Sequence, residues 1–542
     1  MVKQFISIYL FTLFFGVLTL FSQKDPTWDD TAKSNWAAPF ERVGITSSKD
    51  GAIQNAIFYR SKSKVRKPLI VSLHTWSGDY TQKDPLAKEI LARDWNYIHP
   101  DFRGTNNHPQ AMGSDLVVPD IADAIQYALK HTDSDPDEVH IIGVSGGGYA
   151  TLLAYMGLDY PVKSFSAWAP ISDIEAWYWE SIGRKQKYAQ DILQAISKDG
   201  VFDKAEALRR SPITHKYPIA KRKKAKLYIY EGVHDGYEGS VPITHSINMY
   251  NRLVGELKYQ ISEVAEIRPK AVSDSDLVTE SEIINLVTKR LNPLADKKQS
   301  LYGRDIHLFR TYQNIQLTIF EGGHEQLPQA LSLVPYKKTS PLKATILTIG
   351  DSNGASEAGW VNQLKTMLPN ATIVNFSQSG RTIGFDNNGA KDLNALRNIN
   401  KYLREAQLEI GGKNFDYIVL CLGTNDTKKI FADRQSAVVT NFEKLLKNIA
   451  KSPSKENGKP QLIFVTPPPM KTEGILEKYE GGNERLGHLV PLFQEIAQAN
   501  GFKVLDVYHP LQGVLDNYAP DGIHMSAAGQ KIIAARIVEL LD

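Results

Sequence analysis

Val139-His-Ile-Ile-Gly-Val-Ser-Gly-Gly-Gly-Tyr-Ala150 decides the fold of the first half of the chain. Val139–Val144 is an apolar, β-branched run. It feeds directly into Ser145, three glycines and a helical stretch, Tyr149–Met156. This is G-x-S-x-G set between a strand and a helix. The chain must turn sharply there, and only small neighbours leave the serine room for a strained backbone with its hydroxyl exposed. The helix start behind Ser145 presents unpaired N–H groups and a positive end. The Gly146 amide is therefore a natural donor to a developing oxyanion.

Working outward, short apolar runs alternate with helical patterns from Ala52 to about Leu331. Candidate strands are Pro68–His74, Tyr97–Phe102, Val139–Val144, Ser164–Ala169, Lys226–Tyr230 and Gln316–Phe320. Helical patterns such as Val117–Lys130 lie between them. Such alternation predicts an α/β domain with a mostly parallel sheet and helices on both faces. A serine nucleophile needs a base and an orienting acid, in the chain order Ser, acid, His for this elbow. Tyr228-Ile-Tyr-Glu-Gly-Val-His-Asp-Gly-Tyr237 places Asp235 after a strand, and Gln316-Leu-Thr-Ile-Phe-Glu-Gly-Gly-His324 places His324 after the next. Asp173 also follows a strand and competes for the acid's role. His234 and His245 are expected to be loop or surface histidines. Arg103 is expected only to pair a carboxylate.

The proline-bounded polar stretch Val334-Pro-Tyr-Lys-Lys-Thr-Ser-Pro-Leu342 reads as a linker, spanning 332–343. The alternation then restarts. Ala344–Ile349, Thr372–Phe376, Tyr417–Leu422, Gln461–Thr466 and Lys503–Asp506 read as strands. Glu443–Ala450 and Leu489–Ala499 read as helices. The strands end in polar turns: Thr348-Ile-Gly-Asp-Ser-Asn-Gly354, Asn375-Phe-Ser-Gln-Ser-Gly380 and Gly423-Thr-Asn-Asp426, with Asp521-Gly-Ile-His524 near the C-terminus. Asp-x-x-His sets an acid and an imidazole on one turn. Open parallel sheets gather such strand ends at one edge, where a Ser amide, a Gly amide and an Asn side-chain N–H can meet an oxyanion.

The first half resembles the α/β-hydrolase family in its prolyl-oligopeptidase-like branch. The residues that carry this are the Ser145 elbow, Asp235 followed by Val241-Pro242, and Gly-Gly-His324. The resemblance implies Ser145 as nucleophile, His324 as general base and acid, and Asp235 as the orienting carboxylate. It also implies a second oxyanion amide in Leu73-His-Thr-Trp-Ser-Gly78, from Thr75 or Trp76. The second half resembles the SGNH (GDSL-type) hydrolase family through Gly-Asp-Ser352, Gly380, Gly423-Thr-Asn425 and Asp521-x-x-His524. This resemblance implies a flavodoxin-like fold, Ser352 as nucleophile, His524 as base, Asp521 as its orienter, and Gly380 with Asn425 in the oxyanion hole. Ser379 and Arg381 flank that hole, where Arg381 is a candidate substrate contact and a structural role is the alternative.

The remaining features frame these domains. Lys3 and the apolar run Phe5–Phe21 before Ser22 read as a signal peptide over 1–22, which predicts export to the periplasm or outside the cell and no membrane insertion after cleavage. The α/β-hydrolase domain is then expected over 24–331 and the SGNH domain over 344–542. Net charge is only +3 over 542 residues, which points away from a nucleic-acid partner. Cys421 is the single cysteine, so no intrachain disulfide forms. No metal or organic cofactor is expected, since both constellations transfer acyl groups by serine chemistry. Too few residues precede Pro68 for the propeller domain that the family's peptidases carry, which favours an esterase. Trp168, Trp177 and Trp76 are candidate sugar-stacking rings. The expected function is an exported two-site esterase that deacylates, most simply deacetylates, a decorated poly- or oligosaccharide. Two alternatives stand: one active SGNH domain beside an inactive or binding α/β-hydrolase domain, and a peptidase-like first domain fused to an esterase.

Overall fold

The computed structural model describes residues 31, 33, 36–289, 300–451 and 458–541. The expected signal peptide lies outside the described residues. The first domain is built on one ten-stranded sheet: β1 (Glu41–Thr46), β2 (Ile53–Tyr59), β3 (Lys67–Leu73), β4 (Asn96–Pro100), β5 (Ser134–Val144), β6 (Ser164–Trp168), β7 (Lys226–Gly232), β8 (Ser300–Leu301), β9 (Arg304–Tyr312) and β10 (Ile315–Phe320), in the order β1-β2-β4-β3-β5-β6-β7-β10-β9-β8. The six central strands, β4 to β10 in that order, run parallel. The flanking β1, β2, β8 and β9 are antiparallel additions.

Side-chain alternation along the central strands explains why helices cover both faces. Leu69 and Val71 of β3 and Val139 and Ile141 of β5 enter one core, together with the helices Val117–His131 and Thr244–Tyr259. Ile70, Ile142 and Val144 enter the opposite one, with the helix Leu86–Arg93. A strand buried on both faces reads as a continuous apolar run, and β3 and β4 are buried along their whole length.

The second domain has five parallel strands: β11 (Thr345–Gly350), β12 (Thr372–Asn375), β13 (Tyr417–Cys421), β14 (Gln461–Val465) and β15 (Lys503–Leu505), in the order β12-β11-β13-β14-β15. This is the flavodoxin-like order. The chain direction across the sheet reverses between β11 and β13, and sheets of this order place ligands at the carboxyl ends of the strands flanking that reversal. Trp360, Leu364 and Ile533 pack on one face, and Ile399, Phe442 and Phe493 on the other. Cys421 is a buried core residue.

The stretch between the sheets is not the free polar tether that its composition suggests. Val334 is buried. Tyr336 stands edge-on to Trp95 at 5.4 Å, and Ser340 N donates to Met367 O at 2.9 Å. Its prolines and lysines mask an apolar underside. Ala92 of the first domain's helix joins the core of the second domain. Among the described residues no helix is long and apolar enough to cross a membrane.

Candidate active sites

The first site grows from the turn between β5 and the helix Gly146–Gly157. Ser145 takes φ 57° and ψ −119°, a backbone conformation that costs an ordinary residue on the order of 1–3 kcal/mol. The neighbouring glycines permit it by close approach. A Cβ on Gly146 would lie 2.3 Å from Trp76 N, and one on Gly147 would lie 2.2 Å from Leu73 O. The nucleophile turn is thereby pressed against the loop after β3.

That contact settles which amide of the loop faces Ser145. Thr75 N donates to Gln82 Oε1 at 2.9 Å, and Thr75 Oγ1 bonds the same oxygen at 3.0 Å. Thr75 is corrected here as an oxyanion donor, because its N–H is already taken. Trp76 N lies against Gly146, and among the described residues neither amide has an acceptor. The pair Trp76 N and Gly146 N is the available one.

The candidate acid and base come from two further strand ends. His324 Nδ1 bonds Asp235 Oδ2. Asp235 Oδ1 accepts from Gly236 N at 2.8 Å and Val241 N at 3.0 Å. Asp173 is elsewhere: its carboxylate accepts from Ala176 N at 3.0 Å and caps the helix Ile174–Gly183. His324 Nε2 lies 3.2 Å from Ser240 Oγ. Ser145, His324, Ser240, Trp76, Lys187 and Tyr188 line one cavity of about 570 Å³. Glu231, at the end of β7, is a member that no motif announces. It is fully buried and accepts from Ser246 Oγ at 2.7 Å. Burial, then the neighbouring charge of Asp235, pushes its carboxyl far above the usual range. The shift favours its neutral, protonated form.

Several sequence expectations are corrected. Trp168 and Trp177 are fully buried. Trp168 stacks on Tyr230 at 4.2 Å, and Trp177 packs on Trp76 while its Nε1 donates to Ser240 O at 2.9 Å. They are core rings that support the site walls and have no face left for a sugar; the Trp76 ring is buried with them. His245 is buried rather than superficial, its Nε2 3.0 Å from Glu180. His234 pairs with Glu321, and Arg103 bonds Asp50 and Asp120.

The second site is more open. Ser352 follows β11. Its Oγ lies 2.9 Å from His524 Nε2, and His524 Nδ1 lies 2.6 Å from Asp521 Oδ2. Asp521 Oδ1 also accepts from Ile523 N at 2.9 Å and His524 N at 2.7 Å, so one tight turn holds the pair. Partial burial opposes it, but the His524 bond keeps the Asp521 carboxyl below its ordinary value. Both side chains are about half exposed, at 45% for His524 and 50% for Asp521. A substrate can approach this site from open solvent.

The candidate oxyanion donors follow β12 and β13. Gly380 adopts φ 81°, and its carbonyl accepts from Asn387 Nδ2 at 2.6 Å. Asn425 is buried; its Nδ2 donates one hydrogen to Arg381 O at 3.1 Å, which leaves the other for a ligand. Its Oδ1 accepts from Tyr479 OH at 2.7 Å. Tyr479 therefore fixes which end of the carboxamide faces Arg381. It sits in a short 3-10 helix, Glu477–Tyr479, beyond the reach of motif spacing. Arg381 is corrected as a substrate contact: it is buried, lies 4.3 Å over the Tyr402 ring and bonds Gln378. It contributes its carbonyl instead. Ser379 is exposed beside the hole. Asp426 is fully buried and accepts from Ile383 N at 2.9 Å; burial pushes its carboxyl up to about 7. Among the described residues no group of His, Cys, Asp and Glu is placed to hold a metal ion.

A hydroxyl bonded to an imidazole whose far nitrogen meets a carboxylate is the arrangement that activates serine for acyl transfer. Comparison with known proteins agrees with this class. Residues 347–532 match the GDSL-like Lipase/Acylhydrolase family, and residues 86–266 match the Prolyl oligopeptidase family. The chain thus pairs two α/β domains of serine-hydrolase type, a prolyl-oligopeptidase-type domain followed by a GDSL-type domain. No curated protein matches it. Among solved structures, a carbohydrate acetylesterase family member from Sinorhizobium meliloti is 24% identical with a TM-score of 0.31, covering 36% of this chain and 97% of its own. An aryl esterase from M. smegmatis is 21% identical with a TM-score of 0.31, covering 36% of this chain and 98% of its own. An acylaminoacyl peptidase bound to a chloromethyl ketone is 19% identical with a TM-score of 0.32, covering 39% of this chain and 34% of its own. Likenesses at these scores say nothing about substrate.

Proposed function

We propose that this chain is an exported, serine-dependent ester hydrolase with two catalytic sites: Ser145 with His324 and Asp235, and Ser352 with His524 and Asp521. The observation that carries the reading is the unbroken relay of 2.9 Å and 2.6 Å from Ser352 through His524 to Asp521. His524 takes the Ser352 proton as Oγ attacks the ester carbonyl. Gly380 N, Asn425 Nδ2 and Ser352 N stabilise the oxyanion. The imidazolium then protonates the leaving alcohol, and water repeats the cycle on the acyl-enzyme.

The preferred substrate is a small acyl group, most simply acetyl, on a poly- or oligosaccharide. Two features support this. The second site is shallow, with His524 and Asp521 half exposed, which suits a decoration on an extended polymer. The leader Phe5–Phe21 supports export to where such polymers lie. The first site is bordered on one side by Gln186, Lys187 and Tyr188, from the segment between β6 and β7, and offers a ligand a cavity of about 570 Å³. Acetate release from an acetylated polysaccharide falls partly in Ser145→Ala, partly in Ser352→Ala, and vanishes in the double variant. Loss of all activity in either single variant on every ester overturns the two-site reading.

The family match over 86–266 favours a second reading, a peptide substrate for the first site. Cleavage of a proline-containing chromogenic peptide that is lost in Ser145→Ala supports it. No turnover across a peptide panel removes it.

A further inference from the structure

We propose that the first domain is a positioning part of the second catalytic site: Glu89 and Arg93, on its helix Leu86–Arg93, hold the Asp521–His524 loop in place through Tyr518. The inference rests on the reading of Ser352, His524 and Asp521 as a hydrolytic centre.

Tyr518 is fully buried and works at both of its ends. Its carbonyl accepts from Ser526 N at 2.5 Å, which closes the stem of the loop carrying Asp521 and His524. Its hydroxyl enters the first domain. There it bonds Glu89 Oε2 at 2.8 Å, receives Arg93 Nη2 at 2.8 Å and lies 3.1 Å from Ser332 Oγ. Arg93 also pairs with Glu89 and donates to Ser332 Oγ at 2.7 Å. The preceding residue is held as well: Asn517 Nδ2 donates to Glu89 Oε1 at 2.8 Å, and Asn517 O accepts from Gln329 Nε2 at 3.2 Å. Asp521 lies three residues beyond Tyr518.

Glu89 is 1% and Arg93 5% exposed. Apolar residues of similar shape would hold two domains together at least as firmly as a buried ion pair. What the charged cluster adds is direction, since the Tyr518 hydroxyl has donors and acceptors at fixed points. The loop needs that. Apart from His524 Nε2 on Ser352, the hydrogen bonds of Asp521 and His524 are internal to the turn. They fix the acid against the base without fixing the pair against Ser352. Three tethers do so. Two lie within the second domain: Lys471 N donates to Gly522 O at 2.8 Å, and Met525 N donates to Asn353 Oδ1 at 3.1 Å. The third is Tyr518, and it ends in the first domain.

The test uses the full chain. In a Ser145→Ala background, hydrolysis of p-nitrophenyl acetate reports the Ser352 site; in a Ser352→Ala background it reports the Ser145 site. Glu89→Gln and Tyr518→Phe are each expected to lower kcat at the Ser352 site roughly tenfold, the size of effect expected from a sub-ångström misplacement of a base. KM stays within about twofold, since ground-state binding is untouched. The Ser145 site keeps its activity, and Arg93→Lys retains more activity than Arg93→Met. An unchanged kcat at the Ser352 site in both Glu89→Gln and Tyr518→Phe overturns the proposal. So does an equal fall at both sites, which signals general destabilisation. Failure of the underlying reading looks different: hydrolysis that does not depend on Ser352 at all.

Discussion

Tyr479→Phe removes one hydroxyl 2.7 Å from Asn425 Oδ1 and leaves the ring that lies beside Lys428 and Lys478. Asn425 is 1% exposed, so water does not replace the lost donor. An unpaired buried acceptor costs about 1–3 kcal/mol. The carboxamide cannot escape by turning over, because Oδ1 would then face Arg381 O. It relaxes instead by tilting, and its free N–H leaves the line to the oxyanion. Complete loss of such a donor costs about 10²–10³ in kcat. Partial misalignment worth about 1.4 kcal/mol is a tenfold loss. The assay is steady-state release of p-nitrophenol from the acetate ester, in a Ser145→Ala background so that only the second site reports. The expected result is a roughly tenfold lower kcat, with KM unchanged because the oxyanion exists only in the transition state. Asn425→Ala is expected to fall the full 10²–10³. A kcat within twofold of the parent in Tyr479→Phe, beside a large fall in Asn425→Ala, refutes the reasoning. A rise in KM alone refutes it too.

Other consequences concern pH, the first oxyanion loop and the first acid. Asp426 is held at about 7 in the folded chain against 3.8 for a free side chain, so its protonated form favours the fold. The stabilisation is fully present below about pH 4 and is lost as pH rises through 7. By linkage it spans on the order of 4 kcal/mol. Asp426→Asn should flatten the fall in Tm between pH 4 and 7, and an unchanged slope contradicts the assignment. Gln82→Ala frees Thr75 N and lets the Trp76 loop move, so kcat at the Ser145 site is expected to fall about tenfold, while Gln82→Glu, which keeps the acceptor oxygen, retains most of it; equal activity of all three would show that Gln82 has no part. Asp235→Asn is expected to lower kcat at the Ser145 site by about 10⁴, whereas Asp173→Ala removes a helix cap and costs about 1 kcal/mol of stability. Similar kinetics for the two variants would contradict the geometry.

What was legible in the chain depended on range. The Ser145 elbow and the Asp521–His524 turn are local arrangements, and their residue spacing alone prescribes them. The central strands announce themselves as apolar runs because they are buried on both faces. The outer strands β1 and β9 do not, since they carry charge and alternate weakly, as in Arg304–Tyr312. The aromatic cluster misled in sign: a tryptophan fits a core or a sugar equally well, and Trp168 and Trp177 went to the core. The helpers Gln82, Glu231, Tyr479 and Tyr518 were invisible. Each acts through tertiary contacts from a position whose neighbours form no motif. Thr75 shows the same limit, since only the Gln82 oxygen decides that Trp76 supplies the amide.

A two-site hydrolase requires that Ser145 and Ser352 both work as nucleophiles. Labelling the full chain with a serine-reactive fluorophosphonate, followed by proteolysis and peptide mass mapping, tests it most directly. Two modified peptides are expected, one containing Ser145 and one containing Ser352. Each label should disappear in its own Ser→Ala variant and persist in the other. A single labelled peptide, or labelling that survives both substitutions, contradicts it.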